Sequence, residues 1–243
     1  MPYGESKQAL SLGSTLTRDL SSLDANPANI SLNKDFFIQT TSVYQNSIQG
    51  FEAGIIDNTN SELGGGIKFR QINGDTRRFT FGLSELFTPE LAFGVAADYF
   101  WLNDSAFSSK KPIKKMGFRA GLNYSVSDYI LVTLTSQGYN SPIEPITHTL
   151  GLRLYQLRFW DLATEVQLDK LGVRKTAVLG RLYLFSQKFT GTTSYAYNSV
   201  SQSNELAFGG ILRVEKVSLG YSFQLKTLEH NAWLAVSVPT SAL

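Results

Sequence analysis

The 243-residue chain contains no cysteine. That removes disulfides, thiolate nucleophiles and cysteine-ligated metals from the chemistry open to it. It has no uninterrupted apolar run of roughly 18 residues, so no transmembrane helix is expected. Charged residues make up only 17% of the chain, against roughly a quarter in an ordinary soluble domain. The net charge of +2 offers no concentrated basic stripe for a phosphate backbone, and no nucleic-acid partner is expected. The densest cationic cluster, Lys110, Lys111, Lys114 and Lys115 around Pro112, reads as a solvated loop. The N-terminus lacks the basic, apolar, small-residue order of a secretory signal, so a trimmed leader is the expectation.

Catalytic constellations are equally scarce. The two histidines, His148 and His230, do not stand at metal-ligand spacing with each other. There is no Gly-x-Ser-x-Gly elbow and no phosphate-cradling loop. Gly64-Gly65-Gly66 falls inside an extended run and reads as a bend or bulge. No enzymatic activity, metal or cofactor is expected.

What the chain does have is glycine (20 residues), aromatics (12%) and alternation. Leu91, Phe93, Val95, Ala97, Tyr99 and Trp101 share one face of a run whose other face carries Ala92, Gly94, Ala96 and Asp98. Met116, Phe118, Ala120, Leu122 and Tyr124 oppose Gly117, Arg119, Gly121 and Asn123 in the same manner. Only a β-strand sends alternate residues to opposite sides. Fourteen such runs follow one another: 34–44, 49–56, 63–71, 77–87, 90–102, 115–125, 129–138, 147–155, 158–169, 175–185, 188–197, 204–214, 217–226 and 231–239. Each is roughly ten residues long, enough for a tilted strand to cross a bilayer.

The fold class is therefore all-β: a transmembrane antiparallel β-barrel of about 14 strands over 34–243, preceded by a short plug-like segment over 1–33. Closure is required because an unpaired strand edge in lipid leaves backbone groups unsatisfied. Linkers 88–89, 126–128, 156–157, 186–187 and 215–216 are short, whereas 103–114, 139–146, 170–174, 198–203 and 227–230 are longer. Short periplasmic turns and long external loops would alternate in this way, which places both termini in the periplasm of a bacterial outer membrane, with its lipid as the surrounding partner. Tyr99, Trp101, Tyr124, Phe185 and Trp233 are expected near the membrane interfaces.

Alternation sends a set of charges inward: Glu52, Arg78, Asp98, Arg119, Arg153, Asp161, Glu165, Arg181, Glu205 and Arg213. Charges of both signs around a narrow lumen can pair, either bracing the barrel or tuning what passes. Inward glycines such as Gly94, Gly117, Gly121, Gly151, Gly209 and Gly220 leave room for close packing of the N-terminal segment or a ligand, or, for most of them, relieve strain in a curved sheet. In residues 3–32, Ala9, Leu10, Leu12, Leu16 and Leu20 have roughly helical spacing, and Asp19, Ser21, Ser22 and Asp24 are cap and turn formers.

The stretch from Asp19 through Leu23 to Asn26-Pro27-Ala28 resembles an element that precedes the first strand of FadL-like and PorV-type outer-membrane proteins. The rhythm of residues 121–131 is similar to a strand, turn and strand of that group. The resemblance implies a fourteen-stranded barrel with an N-terminal segment at or in its periplasmic opening. It further implies passive transport of small hydrophobic molecules through the lumen or, alternatively, a structural subunit anchoring another envelope protein. The chain departs from the pattern in being short, and in ending without a terminal aromatic residue.

Overall fold

The structure, a computed structural model, describes residues 22–32, 35–45, 48–59, 62–72, 76–102, 112–156, 159–185 and 188–239. Fourteen strands form one closed antiparallel barrel in which each strand pairs with its neighbours in sequence and β1 closes on β14. They are β1 (Asp35–Gln45), β2 (Ile48–Asp57), β3 (Leu63–Ile72), β4 (Thr76–Thr88), β5 (Leu91–Leu102), β6 (Ile113–Ser127) and β7 (Ile130–Tyr139). The second half comprises β8 (Thr147–Gln156), β9 (Trp160–Asp169), β10 (Gly172–Leu184), β11 (Phe189–Asn198), β12 (Ser203–Val214), β13 (Val217–Gln224) and β14 (Glu229–Pro239). Ahead of the barrel lie a single helical turn, α1 (Ser22–Ala25), and a 3-10 segment, Pro27–Leu32.

The alternation expected from sequence is the alternation of burial. On β5 the odd-numbered residues Phe93, Val95 and Tyr99 are exposed, while Ala92, Ala96 and Asp98 between them are buried. Exposed Phe79, Phe81, Leu83, Phe118, Leu150, Leu162 and Leu182 continue the apolar outer wall on other strands. An apolar outer wall on a closed sheet is the form in which strands cross an outer membrane, since every backbone N–H and C=O is paired within the wall. β1 begins and β14 ends at the same rim, where Asp35 faces Pro239. That rim, which also carries the turns between even and odd strands, is the periplasmic one.

Several local expectations change. The connection expected to be long at 170–174 is a two-residue turn, 170–171, because β10 starts at Gly172 with φ of 120°. Near the start of the chain the alternation also fails: 46–47 is shorter than 58–62. Lys114 and Lys115 belong to β6 rather than to a solvated loop, whereas Lys110 and Lys111 lie outside the described residues. The Gly64-Gly65-Gly66 run is neither bulge nor bend: all three pair in regular register with β4, and Gly65 and Gly66 also with β2. The register shifts lie elsewhere, between Leu86 and Thr88, Phe118 and Ala120, Ser125 and Ser127, and Val173 and Lys175. Trp233 is not an interface residue. It sits mid-strand on the inward side of β14, its ring resting where a side chain at position 220 would go.

Candidate functional site: the plugged lumen

Residues 22–32 pack inside the barrel against β3, β4, β5 and β6. The segment is polar for something so enclosed: Ser22, Asn26 and Asn29 are fully buried. Buried amides must be paired. The Asn26 side chain accepts from the Ala28 N–H at 3.1 Å, which caps the 3-10 turn, and donates to the Asn123 side chain of β6 at 2.8 Å. Asn123 in turn donates to Asn29 at 2.9 Å. On the other flank, Ser84 of β4 meets the Ser31 hydroxyl at 2.9 Å and the Ala28 carbonyl at 3.3 Å. Leu23 and Ile30 complete the contact by packing with Ile56 of β2 and Phe37 of β1.

This close approach depends on wall residues without side chains. A Cβ at Gly94 would collide with the Pro27–Ala28 backbone, and one at Gly121 with the Asn26 amide. Both glycines make room for the segment, so of the two readings open from sequence, close packing rather than relief of curvature applies at these two positions.

Asp24 carries the segment into a charged cluster. Its carboxylate contacts Lys68 of β3, lies 3.1 Å from Arg78 Nη2 and 3.5 Å from Arg119 Nη1, and its carbonyl accepts from Arg119. Arg78 reaches three carboxylates with its three nitrogens: Asp24, Asp98 of β5 (2.8 Å from Nε) and Glu144 of the β7–β8 loop (3.1 Å from Nη1). Arg119 pairs with Asp98, and Thr80 donates to the same carboxylate at 2.6 Å. Glu52 lies 3.0 Å from Arg70 and 3.6 Å from Lys68. Four cations (Lys68, Arg70, Arg78, Arg119) therefore face four carboxylates (Asp24, Glu52, Asp98, Glu144). Among these described residues each cation has a carboxylate partner, as a low-dielectric enclosure demands.

A second group occupies the other side of the lumen. Asp161 of β9 accepts from Arg153 of β8 and from the Tyr183 hydroxyl of β10, each at 2.7 Å, with Arg181 at 3.6 Å. Lys175 and Glu205 pair at 2.7 Å, and Arg213 donates to Thr190 at 3.1 Å. Of the ten charges assigned inward from sequence, eight are buried and two, Glu165 and Arg213, are half-buried. Glu52, Arg78, Asp98 and Arg119 join the first cluster and Arg153 and Arg181 gather around Asp161, while Glu205 and Arg213 bond to Lys175 and Thr190. Of the N-terminal motif, Leu23, Asn26, Pro27 and Ala28 are buried against the wall. Asp19, with Ala9, Leu10, Leu12, Leu16 and Leu20, lies outside the described residues.

Sequence reasoning missed Lys68 and Arg70, although the signal was present: Gly64, Gly66, Lys68 and Arg70 alternate with Leu63, Gly65, Ile67 and Phe69. Asp24 was read as a turn former and Glu144 as loop. Neither role in the cluster follows from local pattern. The histidines stand on the outer face, where His148 contacts Ser136 and His230 contacts Tyr221. Among the described residues no group of three or more His, Cys, Asp or Glu could hold a metal ion.

The geometry defines a closed 14-stranded transmembrane β-barrel that holds residues 22–32 inside its lumen. No known family profile matches the chain, nor does any curated protein. Solved structures do match in fold. The toluene transporter TbuX of Ralstonia pickettii superposes with a TM-score of 0.68 at 10% identity, covering 94% of this chain and 95% of that one. The toluene transporter TodX of Pseudomonas putida gives 0.64 at 13% identity over 94% and 95%. The outer membrane protein Omp33 of Acinetobacter baumannii gives 0.57 at 12% identity over 84% and 97%.

Proposed function

We propose that this barrel mediates passive transport of small hydrophobic molecules across the outer membrane, with residues 22–32 acting as its plug. The observation that carries the reading is the docking of residues 22–32 inside the lumen through polar and ionic contacts rather than through a large apolar core. A barrel serving only as an anchor has no need of such an interior. Replacing buried ion pairs by packed apolar side chains is often neutral or stabilising, and a charged lumen is best kept where water re-enters it at some stage. The fold shared with toluene transporters supports the hydrophobic class of solute. So does the apolar seam of Leu23, Ile30, Ile56 and Phe37, which displacement of the plug would uncover.

The test is flux through the reconstituted barrel in vesicles with a lipopolysaccharide outer leaflet, which slows unassisted passage of hydrophobic solutes. Uptake of a monoaromatic hydrocarbon should exceed that in empty vesicles, and a sugar of similar size should pass more slowly. Equal uptake in barrel-containing and empty vesicles would overturn the transport reading and leave the barrel as an anchor for another envelope protein.

A further inference from the structure

The outer wall carries one feature that a passage through the lumen does not use. At the external rim of β4, β5 and β6, the directly paired residues Arg77, Trp101 and Lys114 form one row across three strands. All three lie on the outward side by alternation, Arg77 and Lys114 exposed and Trp101 half-buried. The Arg77 guanidinium carbon is 5.9 Å from the Trp101 ring centroid, and Lys114 Nζ is 4.7 Å from it. Two cations are thus gathered onto one aromatic ring.

Cation–π attraction favours each contact, but two like charges over a shared ring repel each other. No carboxylate among the described residues pairs with either cation. Among the described residues the outward face of these three strands has one acid, Glu85, at the opposite rim. The next outward row toward the membrane centre is Phe79, Tyr99 and Met116, followed by Phe81, Ala97 and Phe118. At ~3.3 Å per residue, the change from two positive charges to a fully apolar wall takes about 7 Å. That is the profile of the boundary between headgroups and acyl chains.

We propose that Arg77, Trp101 and Lys114 form a binding site for the phosphate of an outer-leaflet lipid. The backbone positions of Arg77 and Lys114 are two strand spacings apart, roughly 10 Å. A phosphate between their side chains would take hydrogen bonds from the guanidinium fork and charge from the ammonium. The acyl chains would run down over Phe79, Tyr99 and Phe118, and the lipid sugar or glycerol would face Trp101. Charge complementarity selects a phosphorylated lipid over a zwitterionic one, and the apolar rows below select a lipid over free phosphate.

The experiment is native mass spectrometry of the full-length barrel in detergent, titrated with diphosphorylated lipid A and, separately, with dephosphorylated lipid A. The wild type should retain the diphosphorylated lipid at least tenfold more tightly than the dephosphorylated one. The double variant Arg77→Gln/Lys114→Gln should lose that preference. Lys226→Gln, which removes an exposed cation of the β13–β14 turn, should keep it. Both substituted positions face outward, so heat-modifiable migration in gels should show a folded barrel. If the double variant does not fold, Lys114→Gln alone should weaken retention at least threefold. Equal retention of the two lipids, undiminished retention by the variants, or full displacement of the lipid by millimolar inorganic phosphate would each overturn the proposal.

Discussion

Replacing Gly94 by alanine adds one methyl group at the point where the plug lies closest to the wall. The new Cβ would overlap the Pro27 and Ala28 backbone, with the Pro27 carbonyl oxygen at 2.7 Å where ordinary contact begins near 3.4 Å. The plug must therefore retreat by at least ~0.7 Å. Backbone cannot rotate out of the way as a side chain can. A retreat of that size lengthens the Asn26–Asn123 and Ser84–Ser31 hydrogen bonds, now 2.8 and 2.9 Å, beyond useful length. Overpacking of this kind costs about 1–3 kcal/mol, and loaded onto plug docking it raises the undocked population roughly 5- to 150-fold. The absence of native cysteine makes the assay simple. Ser22 is fully buried and among the described residues its hydroxyl has no hydrogen-bond partner, so Ser22→Cys orphans none of them. In that background, labelling by a membrane-impermeant maleimide should be slow, and Gly94→Ala should accelerate it at least fivefold. Gly191→Ala, whose Cβ meets nothing within 4 Å, should not. Equal labelling rates with and without the Gly94→Ala substitution, in barrels of equal thermal stability, would refute the close-approach argument.

Asp24→Asn leaves Lys68, Arg78 and Arg119 without the plug's carboxylate; the same cysteine should label at least tenfold faster, and unchanged protection would show that the ionic contacts do not hold the plug. Arg78→Lys keeps the charge but not the fork, so one ammonium must serve three carboxylates; labelling should rise nearly as far as with Asp24→Asn. Asp161→Asn removes the acid that Arg153, Arg181 and Tyr183 share, and loss of one partner of a buried pair costs about 3–5 kcal/mol. Its urea unfolding midpoint should fall clearly, while plug labelling stays as in the wild type. Trp233→Ala empties the space over Gly220 on the lumen side of β14; single-channel conductance in planar bilayers should increase, and an unchanged conductance would place the narrowest point elsewhere.

The barrel was legible because a membrane wall imposes the same two-residue period on every strand. All fourteen candidate strands correspond to observed ones, with ends within three residues. Glycine runs and loop lengths were less informative. Gly64 and Gly66 read as irregularities, yet they are flat, inward positions that Ile30 and Leu23 press upon. That reason lies some thirty to forty residues earlier in the chain and leaves no local trace. The same holds for Asp24 and Glu144: each joins the Arg78 cluster by folding inward from a segment that has no period of its own. Trp233 was misplaced because a large ring in a strand fits the lumen as well as the interface, and the choice depended on an endpoint two residues off.

Arg78 holds the wall, the plug and an external loop through three nitrogens of a single planar group. Loop and plug are therefore thermodynamically linked although they never need to touch. Whatever free energy loop closure adds to plug docking, plug docking must return to loop closure in equal amount. A molecule that pries Glu144 away from outside the cell loosens Asp24, and a force that withdraws the plug from the periplasmic side frees the loop.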